Sequence, residues 1–160
     1  MCGALYVKSS RYRSREFALQ GLYRWLLARH TPAEIAQDIV LFRGFDKCDA
    51  LYFRDLLDGA IHDADAIERV LAPCLDRPLQ QVSPVERAVL MIAGCEFSRH
   101  PEVPYRVVIN EAVELTKAFG GTEGHKYVNG VLDKLAAALR APEVAAAREA
   151  RTTREAGAIR

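Results

Sequence analysis

From Glu16 the chain reads EFALQGLYRWLL, with Ala18, Leu22, Trp25 and Leu26 recurring at helical spacing. The same period runs through ALYFRDLLDGAIHDADAIERVLAPCL from Ala50, which predicts two helices with a bend near Asp63–Asp65. Ala88–Phe97, AVLMIAGCEF, is apolar almost all round, the mark of a central helix buried on most faces. A further helix is expected to begin at Pro104 or Tyr105, run through VVINEAVELTKAF, and stop at Gly120-Gly121 in a left-handed cap. No stretch alternates with period two. Val107-Val108-Ile109 is β-prone, but its flanks and the following ELTK favour helix.

Start signals sharpen this pattern. Thr31-Pro32-Ala33-Glu34 and Ser83-Pro84-Val85-Glu86 each set a capping hydroxyl, a proline at the first helical position and a glutamate at the third. In both, the hydroxyl is expected to accept from the glutamate's N–H while the carboxylate accepts from the cap's own N–H. Thr122 is a candidate cap for the last core helix, which contains HKYVNGVLDKL. Asn129-Gly130 there is a strong hairpin dipeptide. Val128, Val131, Leu132, Leu135 and Leu139 nevertheless trace a helical stripe, and the stripe prevails. Gly130 points away from that stripe, so a bare backbone costing about 1 kcal/mol relative to alanine has no explanation in the helix's own core. The total is all-α, about seven helices. Residues 1–13 read as a basic arm and 14–141 as a single helical domain with sub-bundles of about 14–62 and 63–141. Residues 142–160 form a low-complexity Ala/Arg/Glu tail, frayed or disordered.

Composition narrows the chemistry. A formal net charge of +1 gives no bulk attraction to nucleic acid, so such binding must come from a local cluster. No apolar run approaches the roughly 18–20 residues of a membrane span, and the start lacks a secretory pattern, so a cytoplasmic address is expected. Cys2, Cys48, Cys74 and Cys95 lack metal-ligand spacing and read as inert thiols or core residues. Asp55, Asp58, Asp63 and Asp65 lack the glycine and spacing of a calcium loop, and read as a solvated helix face. No phosphate loop, HExxH or nucleophile elbow is present. No metal, cofactor or catalytic residue is expected. Lys8, Arg11, Arg13 and Arg15 do form a cluster, interrupted by Tyr12. A helical wheel sets Arg13, Gln20, Tyr23 and Arg24 opposite the Ala18/Leu22/Trp25/Leu26 stripe, leaving Tyr23 partly outside the core. Arginines for phosphates and an aromatic for a base are the ingredients of single-strand RNA binding. Four neutralised phosphates would give a salt slope of about −3.

The stretches REFALQGLYRW, LYFRDLLDG, VERAVLMIAGCEF, VPYRVVINEAVELTKAFG and HKYVNGVLDKL resemble the NusB family of bacterial transcription antitermination factors over roughly residues 11–140. The resemblance implies two small perpendicular helical bundles, helices 1–3 and 4–7. It implies RNA contacts by Arg11, Arg13, Arg15, Tyr23, Glu123, Lys126 and Tyr127, and a partner contact at Glu86. The implied partners are boxA single-stranded RNA, the small-subunit ribosomal protein NusE and the RNA polymerase antitermination complex. Homodimers also occur among relatives. NusB-like domains precede some RNA cytosine methyltransferases, but those need a following dinucleotide-fold domain that this chain does not reach, so no enzymatic activity is expected. A protein-only scaffold or homodimer without specific RNA binding is the alternative.

Overall fold

Eight α-helices, and no strand, occupy the described residues 8–159 of the computed structural model. They are α1 (Ser10–Ala28), α2 (Pro32–Ile39), α3 (Ala50–His62), α4 (Ala64–Leu71), α5 (Pro84–Arg99), α6 (Tyr105–Phe119), α7 (Gly124–Leu139) and α8 (Ala141–Ala158). Residues 1–7 of the basic arm, Cys2 among them, lie outside the described residues.

The capping chemistry is realised unevenly. At α2 the box closes both ways: Glu34 N–H donates to Thr31 Oγ1 at 3.3 Å, and Thr31 N–H donates to Glu34 Oε2 at 2.9 Å. At α5 only the Ser83 hydroxyl accepts, from Glu86 N–H at 3.4 Å, and the reciprocal half of the box is not made. The bend expected near Asp63 is a break between α3 and α4. Gly120 ends α6 in extended backbone with φ −95°, not in the left-handed cap expected of it. Thr122 does not cap α7; Glu123 holds that position without a side-chain bond. Past Leu139 the chain continues as α8, docked through Val144 and Ala147 and exposed along most of its length.

α5 is the hub. It packs against α1, α3, α4, α6 and α7, and its residues Ala88–Phe97 are all buried. Within that run stands Glu96, 1 % exposed. A buried carboxylate without partners would cost several kcal/mol. Glu96 instead accepts two bonds from one guanidinium, Arg15 Nε at 2.6 Å and Nη2 at 2.8 Å, and a third from the Tyr52 hydroxyl at 2.9 Å. Glu111 of α6 lies 4.0 Å from Arg15 Nη1. The pair thus ties α1 and α3 to α5, with α6 alongside. This corrects the expectation for Arg15: at 3 % exposure, with its fork committed to Glu96, it has no face to offer RNA. Arg140, between α7 and α8, performs a related task. Its buried guanidinium donates to the carbonyls of Phe97 and His100, each at 3.0 Å, and Val103 at 3.2 Å, satisfying acceptors at the C-terminal end of α5 and in the turn after it.

Removing one member of the central pair strands the other charge. Arg15→Ala is expected to cost about 3–5 kcal/mol of unfolding free energy measured by urea denaturation, and Arg15→Met combined with Glu96→Leu should recover most of that loss.

Candidate nucleic-acid interface

Helix α1 has two exposed regions at opposite ends. At its start Ser9 accepts from Tyr12 N–H at 3.0 Å, and Lys8 Nζ pairs with Glu16 at 2.7 Å. Arg11 is exposed and its guanidinium lies 4.4 Å from the centroid of the Tyr52 ring, a cation–π geometry. Arg13 is half-buried. Tyr52 therefore joins outside to inside: its ring carries Arg11, while its hydroxyl donates to Glu96.

Tyr23 is on the same helix, about 18 Å further along its axis. It is 40 % exposed, as the wheel predicts. It lines a largely apolar groove of about 390 Å³ with Leu19, Gln20, Arg24, Phe42, Val85 and Phe119. Val85 brings this groove next to Glu86. The Glu86 carboxylate lies against Gly124, the first residue of α7, in the space that a β-carbon there would fill. Gly124 thus makes room for an anion at the positive end of the α7 dipole, and the start of α7 and the start of α5 meet at this point.

On the solvent side of that junction Glu123 and Lys126 pair at 2.8 Å, each 70 % exposed. Tyr127 is half-buried, and its hydroxyl donates to Asp76 Oδ1 at 3.1 Å. The Arg77 guanidinium stands 4.9 Å from the Tyr127 ring centroid and grips Asp76 through Nε at 2.7 Å and Nη2 at 3.0 Å. That grip holds the Asp76 carboxyl below its ordinary range, whereas partial burial, then Asp76, pushes the Tyr127 phenol up. Asp76 and Arg77 have no sequence mark; only the fold brings their loop to α7.

The expected site residues thus fall into two groups. Glu86, Glu123, Lys126 and Tyr127 gather around the α5–α7 junction, with Tyr23 across Val85. Arg11 and Arg13 lie at the far end of α1, and Arg15 is inside. Burial pushes the Cys95 thiol up to about 12, and the acidic residues of α3 are paired, Asp55 with His100 and Asp58 with Arg54. His100 also packs on Tyr52, with ring centroids 4.8 Å apart.

The NusB family model matches residues 12–137. The chain belongs to the NusB family. It is 56% identical over 143 residues to a transcription antitermination protein NusB of Paraburkholderia phytofirmans, covering 89% of this chain and 99% of that protein. It is 54% identical to the namesake of Ralstonia pickettii, over 88% and 91% of the two chains. Among solved structures, T. maritima NusB superposes with a TM-score of 0.73 at 29% identity, over 81% of this chain and 92% of that one. A crystal structure of antitermination factors NusB and NusE in complex with dsRNA matches with a TM-score of 0.67 at 28% identity, over 80% and 98%. The NusB fold of this chain thus places the Glu86–Gly124 junction between an apolar groove and an aromatic–basic surface.

A β-carbon at 124 would meet the Glu86 carboxylate first, the end of a flexible side chain, and buried Thr116 Cγ2 at 3.2 Å, so Gly124→Ala should move Glu86 and press on Thr116. Gly124→Ala and Glu86→Ala are expected to be non-additive, with a coupling of about 0.5–3 kcal/mol in a double-mutant denaturation cycle.

Proposed function

We propose that this chain is a cytoplasmic, non-enzymatic transcription antitermination factor that binds boxA single-stranded RNA together with a NusE-type ribosomal protein. Family membership, together with a related NusB crystallised with NusE and dsRNA, supports the general function of binding RNA beside a protein partner. The observation that carries the reading to particular residues is the arrangement around Glu86. On one side is an apolar groove with exposed Tyr23 and Phe119, suited to a protein surface; on the other are an aromatic and cations, suited to a nucleic acid. No helix among the described residues is long and apolar enough to cross a membrane.

In this reading Tyr127 stacks a base, Lys126 holds a phosphate and Glu123 orients that lysine. Arg11 and Arg13 meet the strand at the far end of α1, about 15–18 Å from Tyr23 along the helix axis, a span of a few extended nucleotides. Tyr23 lies where RNA and partner converge, and Glu86 belongs to the partner contact. Without Arg15 the α1 end supplies three cations at most, so affinity without the partner is modest and the ribosomal protein completes the site.

Tyr127→Ala and Tyr23→Ala are each expected to weaken binding of labelled boxA RNA by about 1–3 kcal/mol without loss of helical circular dichroism. Fluorescence anisotropy with and without the NusE-type protein measures this. Unchanged affinity in both variants, or equal affinity for a scrambled RNA, would favour a protein-only scaffold.

A further inference from the structure

The helix glycine that the sequence leaves unexplained is also unexplained by packing. A β-carbon built at Gly130 meets nothing within 4 Å, and the residue is exposed. No neighbouring helix needs the space, although glycine weakens a helix interior. Gly130 stands at the centre of a row: Lys126, Gly130 and Lys134 succeed one another at i, i+4 and i+8 on one face of α7. The two lysines are about 12 Å apart along the axis, with bare backbone between them. The row borders a groove of about 270 Å³ whose floor is Gly130, Val131 and Cys74, and whose end is Tyr127 with Asp76.

We propose that this groove is a slot for one nucleotide of a single-stranded RNA, formed by Lys126, Gly130 and Lys134 on one side and the Asp76–Arg77 loop on the other. The proposal rests on the RNA reading above and extends it to four residues that reading does not use. Lys126 and Lys134 take the phosphates on either side of the nucleotide. The missing side chain at Gly130 lets the sugar–phosphate backbone lie against the helix. The base stacks on Tyr127, the position that Arg77 occupies in the free protein. Asp76, which already accepts from Tyr127 and Arg77, accepts from an amino group on the base edge. The Asp76–Arg77 pair is exposed and solvent-screened, so Arg77 gives way readily. Two lysines flank a largely apolar floor, which supplies charge for two phosphates and an apolar face for the nucleoside between them, and this groove is separate from the one at Tyr23 and Phe119.

The test is titration of labelled single-stranded boxA RNA into the full chain saturated with its NusE-type partner, across a salt series. Each phosphate contact on a single strand contributes about 0.7 to the salt slope, equivalent to about fivefold in affinity at 0.1 M salt. Lys134→Gln is therefore expected to bind about fivefold more weakly with a slope shallower by about 0.7. Gly130→Gln should also weaken RNA binding, while its melting temperature rises. If both variants bind RNA like the parent while Tyr127→Ala is impaired, the slot is wrong and the RNA reading stands. If Tyr127→Ala is also unimpaired, both fall. If Lys134→Gln instead weakens binding of the partner protein without RNA, the groove is a protein contact and the proposal is overturned.

Discussion

A carboxylate in the middle of the most apolar helix has to be matched by donors, and the arrangement of the helices around α5 depends on how Glu96 is matched. Burial opposes the charge on Arg15, yet the two bonds and the proximity of Glu96 hold its proton more firmly than in water. The same surroundings, burial first and then Glu96, push the Tyr52 phenol up, so its hydroxyl stays a donor. Three directional bonds from two helices leave α1 and α3 little freedom to slide on α5. Apolar packing alone tolerates such sliding; a bidentate fork does not.

This constraint reaches the surface. Tyr52 is held by its hydroxyl inside and presents its ring to Arg11 outside, with His100 packed on it as well. The exposed cation at the start of α1 is therefore seated on a ring anchored in the core. At the other end of α1, Tyr23 is left out of the core because the helix turns its apolar stripe elsewhere. The start of α7 links that end to Tyr127 through Glu86 and the vacant side-chain space of Gly124. An apolar groove and an aromatic–basic surface thus share a single helix start, which suits an adaptor that engages RNA and a second protein together.

Much of this was legible. The apolar stripes located the core helices, Thr31 closed its capping box, and the wheel set Tyr23 outside the core. Arg15 is instructive because its spacing of three and seven from Ala18 and Leu22 puts it on the buried stripe, a signal that local periodicity does contain. Its partner, 81 residues away, is what that periodicity lacks. Glu86 completes the sequence motif of a capping box, yet its carboxylate lies against Gly124 at the start of α7, a neighbour that local sequence does not reveal. Gly120 likewise ends a helix without entering the left-handed region, because extended backbone already leads the chain toward α7.

By itself the sequence determined what short-range physics controls: helical period, caps, breaks, the buried character of α5, and the family to which these motifs point. Only the tertiary structure decided which charges are buried and which are free, because that depends on partners far apart in the chain. It paired Arg15 with Glu96, brought Asp76 and Arg77 onto Tyr127, and left Gly130 open between two lysines. The difference is one of range: backbone hydrogen bonds and side-chain periodicity act within a few residues, whereas desolvation and ion pairing act across whatever the fold brings together.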